Sequence, residues 1–496
     1  MNYPGLIGPS YQSQSPVADC EMLMNWYPER LETPYGRNRA ALYPTPGFTP
    51  FVGAAQGITD VGCRAGFAMN GRSFMVIGAG FYELFGNQTV TRWGSVTQDQ
   101  YPATISSNGA AGGQLLITSG RDAYSFVLAT NTFAVIGALA GLATMGGMVD
   151  GYGLVFNGQN STVYVSALSD FTSWTIGTNY FQRSIAPDPW RAMVIRRSEI
   201  ILVGEYTGEV WRDVNAAIGQ PFAPDLGAVF NAGTSAAWSV KVSDDLVVWL
   251  KNTPAGDGTI VAMTGYNPQR ISNYGVETAI SGYGRASSVA DAETLIYSDV
   301  GHTFPVFQFP MANGTWAFDT AGGNYWHQRG AWNAPLNRFD MWKPRIYWHA
   351  FGRHLVGERA TGTIYQMDST LGTETNGVDG VRRVRVAPPL YAVDGNRMWV
   401  DRMDLELQSG VGTQTGQGAN PKIMMESSRD YGQTWGTQRM RAVGGPGQFG
   451  TRVFWLRNGS SLKSWVPRLT VTDPVPWRIV DASVLGTNIA NGQRAA

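Results

Sequence analysis

Between residues 51 and 375 one pattern recurs: a short run of β-branched, aliphatic and aromatic residues, a cluster of Gly, Asn or Asp, and another short run. Ser73 to Ile77, Thr162 to Ser166, Ile200 to Gly204 and Leu246 to Leu250 are examples. Such runs between turn residues predict strands. Several turns lead into aromatic-rich outgoing strands, as in Gly80-Phe81-Tyr82-Glu83-Leu84, Gly208-Glu209-Val210-Trp211 and Gly362-Thr363-Ile364-Tyr365. Regular hairpins of this kind predict a barrel, sandwich or propeller, and a region of this length would make a propeller of about six to eight blades at roughly 40–50 residues each.

The flanks read differently. Pro4, Pro9, Pro16, Pro28, Pro34, Pro44, Pro46 and Pro50 leave little room for a continuous ladder or helix, which predicts an extended arm laid over other structure. Within it, Asp19 to Glu29 carries apolar residues at alternate and helical spacings at once, so its local form stays open. After Leu371 a turn-rich connector, Gly372 to Gly380, leads to Val381-Arg382-Arg383-Val384-Arg385-Val386, a strand with a basic face. Ser409 to Asn420 reads as a long exposed loop, and strands resume at Lys422 to Ser427, Arg452 to Arg457 and Val466 to Thr472. The expectation is an all-β chain: an extended arm at 1–50, a β-propeller at 51–375, a smaller C-terminal β domain at 376–486 and a flexible tail at 487–496.

Composition sharpens this picture. A chain of 496 residues exceeds one ordinary core, and Gly at 61, Pro at 26 and 12% aromatics suit many tight turns between pleated surfaces. Charged residues make up only 15%, against about 25% in an average soluble protein, so a surface poor in like-charge repulsion is expected to be covered by other subunits. Lys+Arg and Asp+Glu are both 37, which leaves no net field for sequence-specific DNA binding and suits a conduit through which DNA slides. Cys20 and Cys63 are too few for a disulfide framework or a thiolate metal site, so folding in a reducing cytoplasm is expected. Met1 to Pro9 shows no basic segment followed by an apolar run. Phe133 to Val149 approaches membrane-spanning length, but Gly137, Gly141, Gly146 and Gly147 make it two strands, or a strand and a glycine-rich connection, and no membrane anchor is expected.

Candidate chemistry is sparse. Ser428-Arg429-Asp430-Tyr431-Gly432-Gln433-Thr434-Trp435 matches the Asp-box pattern, in which the Asp bonds turn amides, the Gly takes a conformation that a Cβ disfavours, and the Trp packs beneath. The expected role of Ser428, Asp430, Gly432 and Trp435 is structural. Because propellers with such turns often bind or cut glycans, a sialidase-like glycan-binding or glycan-hydrolysing protein is the alternative, with a receptor-binding module as a third class. Glycoside hydrolysis needs paired carboxylates. Glu205 and Glu209 are the best pair visible, yet they flank an apparent hairpin turn, where solvated charges are the norm. Pro344-Arg345-Ile346-Tyr347 is only faintly similar to the Arg-bearing motif of sialidases. His302, His327, His349 and His354 are the only histidines; the last two, five apart, would lie on opposite faces of a strand. No Walker-type loop occurs, and Gly78-Ala79-Gly80 lacks the third glycine of a dinucleotide site. No cofactor, metal or catalytic residue is expected. Trp316, Phe318, Tyr325, Trp326, Trp332, Trp342, Tyr347 and Trp348 read as blade core.

An ordered set of short matches spans nearly the whole chain: Asn25-Trp26-Tyr27-Pro28-Glu29 with Tyr43-Pro44-Thr45-Pro46-Gly47-Phe48; Pro187-Asp188-Pro189-Trp190-Arg191 leading to Glu199 to Gly204 and Gly208 to Trp211; Pro310 to Asp319 with Tyr325-Trp326-His327; and Ser428 to Gly432 with Arg452 to Arg457. In this the chain resembles the packaged-DNA stabilisation, or tail hub (nozzle), family of short-tailed bacteriophages. The resemblance implies a structural virion protein of the tail, made in the host bacterial cytoplasm. It implies a homo-hexameric ring beneath the portal and its adaptor ring that continues and closes the DNA exit channel. Such a ring retains packaged double-stranded DNA without reading its sequence, releases it during ejection, and carries a tail needle, fibres or tailspikes. An arm unable to build its own ladder must bury its aromatic residues elsewhere. Trp26, Tyr27 and Phe48, with Trp435, Trp455 and Trp465 of the C-terminal domain, are therefore expected to form a platform against the adaptor and neighbouring subunits while the propeller projects outward. The alternative is an arm that only seals its own subunit.

Overall fold

A computed structural model describes residues 1–32, 40–109, 112–183, 185–215, 220–253, 258–321, 323 and 325–490. The chain is all-β, with 51% of residues in strands and 5% in helices. Seven antiparallel units of four or more strands close into a propeller, and their innermost strands are Cys63–Met69, Thr104–Ser107, Met145–Val149, Trp190–Arg196, Lys241–Ser243, Glu293–Asp299 and Pro344–Ala350. The last of these packs back against the first, which closes the ring. Aromatic rings fill the gaps between blades: Phe81 meets Phe126 at 5.4 Å, and Phe181 stacks on Trp211 at 4.4 Å. Close packing also explains Gly66, where an added Cβ would lie 2.3 Å from the Trp348 ring of the neighbouring blade.

The runs read from sequence appear as Arg72–Ile77, Thr162–Leu168, Glu199–Gly204 and Leu246–Lys251. Phe133 to Val149 divides into the end of a strand, a 3-10 turn at Gly137–Leu139 and the strand Met145–Val149. No helix among the described residues is long and apolar enough to cross a membrane. One helix, Tyr274–Ala286, was not anticipated; Asn273 caps it by accepting from the Val276 amide at 3.0 Å, and Val276 and Ile280 are buried on one face.

The N-terminal fifty residues differ from the expectation of little ladder. Cys20–Met24 pairs antiparallel with Arg383–Val386 and touches Tyr325–Gln328 in parallel, joining the sixth blade to the C-terminal domain as one eleven-stranded sheet. Trp26–Arg30 and Ala40–Pro44 form a hairpin on a second C-terminal sheet with Ile479–Thr487 and Met398–Leu407. Gly47–Val52 is the outer strand of the seventh blade, against Ile364–Asp368. The segments are short, but Cys20–Met24, Ala40–Pro44 and Gly47–Val52 find partners far along the chain, so prolines divide the arm without keeping it out of sheets. Pro34 lies outside the described residues. At the other end, of the tail expected to be flexible, Thr487 to Ala490 are tied down, since Val393 donates to the Asn488 carbonyl and Ala490 to that of Tyr391, and 491–496 lie outside the described residues.

Candidate assembly surface

Two features of the C-terminal domain stand out: a buried seam that fixes the domain to the arm, and an outer face. At the seam the basic face of Arg383–Val386 is not exposed. Arg385 is fully buried and donates to the carbonyls of Leu6 at 2.8 Å, Pro9 at 2.9 Å and Gly5 at 2.6 Å, and to the Glu21 carboxylate at 2.5 Å. Arg383, also fully buried, donates to the carbonyls of Val381 and Thr45, both at 3.1 Å, and burial pulls its pKa down to about 10. Asn25, in the left-handed region at φ +58°, bonds the carbonyls of Gly330 and Arg382 and the Gly330 amide. Guanidinium groups thus satisfy arm carbonyls that no ladder reaches.

Five of the six expected anchors are buried within the chain. Trp26, Trp455 and Trp465 belong to the C-terminal core with Leu6, Leu23, Leu42 and Met403, whereas Tyr27 and Phe48 pack with Tyr297, Phe304 and Trp342 of the propeller. They therefore hold the subunit together and offer no surface themselves. Trp435 is half-buried under Arg468, whose guanidinium lies 4.1 Å from its ring centre. In the turn before it, Ser428 Oγ accepts from Gly432 N at 2.8 Å, while Asp430 accepts from Thr434 N at 2.9 Å and from Thr434 Oγ1 at 2.5 Å. Gly432 has φ +84°, and the hydroxyls of Ser428 and Thr434 hold the Asp430 carboxyl down at about 2.

The outer face was missed from sequence. Met398–Leu407 pairs with Val453–Leu456 on one side and Ile479–Thr487 on the other, in a register that sets Arg402 opposite both Leu456 and Leu485. The neighbouring row, Trp455, Met403 and Val484, faces the core. Leu485 is 63% exposed, Leu456 48% and Trp399 48%. Around them Arg402 lies 4.5 Å from the Phe454 ring centre and pairs with Asp404 at 2.5 Å. The readable signal was two consecutive apolar residues in a strand (Trp455-Leu456, Val484-Leu485), which must split between opposite faces. In the propeller, exposed apolar residues such as Leu226, Val300 and Met311 fall singly in turns, which is ordinary for any soluble surface.

The residues considered for chemistry are engaged otherwise. Glu209 is not solvated but fully buried, in ion contact with Arg183 at 3.1 Å and accepting from Trp211 Nε1 at 3.1 Å, and burial raises its pKa. Glu205 pairs separately with Arg191 at 2.6 Å. Each carboxylate answers its own guanidinium, so the two share no open site. His349 and His354 are not on opposite faces of one strand; they are cross-strand partners in a hairpin, their rings 5.4 Å apart. His302 bonds Asp319 at 3.0 Å, a contact that raises its pKa, and His327 is buried beside Arg329, where burial lowers its own. Trp316, Phe318, Trp326, Trp342 and Trp348 are buried, whereas Trp332 is half-buried with Arg382 3.9 Å from its ring centre.

Comparison with known proteins gives two family matches. Residues 21–372 match the family model described as bacteriophage P22 Gp10, beta-propeller, and residues 383–486 that described as bacteriophage P22 Gp10, beta-sandwich. No curated protein matches the sequence significantly. Among solved structures, virginiamycin B lyase from Staphylococcus aureus is 9% identical with a TM-score of 0.41, covering 62% of this chain and 96% of its own. The extracellular domain of a putative hybrid two-component system from B. thetaiotaomicron is also 9% identical, with a TM-score of 0.43, covering 76% of this chain and 45% of its own. Likeness this slight says nothing about what the chain does.

Proposed function

The chain belongs to the bacteriophage P22 Gp10 family, the DNA-stabilisation and tail-hub proteins of short-tailed phages, and from that premise we propose that it works as a non-enzymatic nozzle. It is a structural protein of the phage tail. In our reading, copies assemble as a homo-hexameric ring under the portal-adaptor complex, continue and close the DNA exit channel, retain the packaged DNA and carry the tail accessories. Family membership over both domains is the observation that carries this reading.

The platform is the C-terminal domain, with its outer sheet face as the contact. A row of Leu456, Arg402 and Leu485 flanked by Trp399 combines apolar area with an arginine and an aromatic residue, the composition enriched at interface centres. The anchors Trp26, Trp455 and Trp465 act from behind, by fixing the sheet that presents this row, and the propeller projects outward. Near-zero net charge suits a wall that DNA passes without being held.

The test is electron microscopy of adaptor-bearing capsids incubated with wild-type protein or with Leu456→Glu/Leu485→Glu. Rings are expected from wild type and not from the double variant, while both chains melt alike because the two side chains lie outside the core. Rings formed by both would place the contact elsewhere; absence of rings from wild type would overturn the nozzle reading.

A further inference from the structure

The seven innermost strands enclose two adjoining cavities on the propeller axis, of about 580 Å³ and 290 Å³, which share Thr104, Ile105, Lys241 and Val242 as a common wall. The larger is within the range of small-molecule sites. It is lined chiefly by apolar groups, among them Met145, Met148, Met193 and Trp238. Met145 and Met193 are almost fully buried in the core between blades and offer only their edges to this wall, whereas Met148 and Trp238 are half-buried, and methionine edges adapt to varied apolar shapes.

The smaller cavity is charged, but most of its charges are spent. Glu293 holds Arg345 through bonds of 2.8 and 2.7 Å and Arg359 at 2.6 Å. Arg64 is held by Asp99 and by the Tyr101 carbonyl at 2.8 Å. The Lys241 side chain, half-buried between the cavities, makes no direct hydrogen bond or ion pair among the described residues; it is attracted by Glu293, a carboxylate already shared by Arg345 and Arg359, while desolvation lowers its pKa. An ammonium whose attracting carboxylate is shared with two guanidiniums, placed where an apolar chamber begins, can still take an incoming anion.

We propose that the propeller axis is a binding site for an amphipathic carboxylate, whose apolar body lies among Met145, Met148, Met193 and Trp238 and whose carboxylate pairs with Lys241. The carboxylate comes either from a free aliphatic acid or from the C-terminus of an apolar peptide segment. This site does not depend on the ring reading above, because it is complete within one chain.

The test is calorimetric titration of the full chain with decanoate, and with N-acetyl-Leu-Met-Leu carrying a free or an amidated C-terminus. Saturable binding of decanoate or of the free-acid peptide is expected. It should weaken about tenfold or more in Lys241→Met, as the loss of a charge-assisted bond implies, and persist in Lys241→Arg. Met148→Trp, which fills the chamber and leaves the charge, should also weaken it, and serves alone if Lys241→Met does not fold. Decanoate alone binding identifies a free acid as the source; the free-acid peptide alone, or far more tightly than its amide, identifies a partner's terminus. No saturable binding to wild type, or binding that Lys241→Met or Met148→Trp leaves unchanged, overturns the proposal.

Discussion

In the propeller the N-terminal arm supplies one strand, Gly47–Val52, at the outer edge of a blade whose other three strands are contiguous in sequence. In the C-terminal domain it supplies ladder partners to both sheets and a share of the core, with Tyr3, Leu6, Leu23, Trp26 and Leu42 packed against Met403, Trp455 and Trp465. The propeller's cores lie largely between neighbouring blades, so its stability is close to a sum of neighbour terms. The other domain packs most of its buried residues into one core built from both ends of the chain, beside a smaller cluster of Met24, Val384, Val386 and Val466. The two regions should therefore respond very differently to loss of the arm.

Deleting Met1 to Pro50 makes the largest break. Calorimetry and limited proteolysis should show the C-terminal domain unfolded and protease-sensitive, with the propeller melting at a lower temperature but still as a unit. A chain that melts normally would mean that the arm only decorates both regions.

Arg385→Leu probes the same difference through one side chain. It leaves the carbonyls of Gly5, Leu6 and Pro9 and the Glu21 carboxylate without their donor, and breaking a buried charge pair by removing one partner costs about 3–5 kcal/mol. Denaturant unfolding followed at the two domains should show this loss in the C-terminal transition alone; equal losses in both would mean that the eleven-stranded sheet couples them into one cooperative unit.

That coupling also explains what was legible in the sequence. Blade hairpins could be read because partners such as Ile201 and Val210 lie within ten residues of each other, and local turn chemistry sets the register. The arm's strands could not, because Leu23 pairs with Arg385 and Phe48 with Met367 across more than 300 residues. The helix at Tyr274–Ala286 carried a readable signal, Asn273 as cap and Val276, Ile280 and Tyr283 at helical spacing, hidden among three glycines, Gly275, Gly282 and Gly284. At the candidate surface Trp26, Trp455 and Trp465 were found as large aromatics and Leu485 was not. Size marks a residue as buried, whereas an exposed interface residue shows only through strand register.

Glu374 sits in the connector between the two regions. One carboxylate oxygen is buried without a hydrogen bond, and burial raises its pKa from 4.5 to about 7 despite Lys343 and Arg383 nearby. A raised acid pKa means that the folded state binds the proton more tightly. Its contribution is full below pH 4.5 and is lost as pH rises towards 7. Glu374→Gln should flatten that segment of the stability profile and stabilise the chain at pH 8, by at most about 3 kcal/mol. An unchanged slope would show that water reaches the carboxylate.

The smallest effect separates the two regions at the level of a single turn. Both use an aspartate to hold backbone amides: Asp188 in the propeller accepts from Tyr206 N at 2.9 Å and Thr207 N at 3.1 Å, and Asp430 in the C-terminal domain accepts from Thr434 N at 2.9 Å. Asp188 is also paired with Arg183 at 2.9 Å, which in turn neutralises the buried Glu209, so Asp188→Ala disturbs a buried charge network. Asp430 has no such partner among the described residues and lies near solvent, so Asp430→Ala removes only hydrogen bonds from neutral donors to an exposed carboxylate and should cost about 1–2 kcal/mol. Because the folded pKa of Asp430 is held near 2, below the ordinary carboxyl value of 3.8, its contribution is complete above pH 4 and fades as pH falls towards 2. Thermal melts of the two variants at pH 7 and of Asp430→Ala at pH 3 check both statements. If the Asp430 variant loses as much as the Asp188 variant, the C-terminal turn supports more than itself, with Trp435 beneath it as the element to examine next.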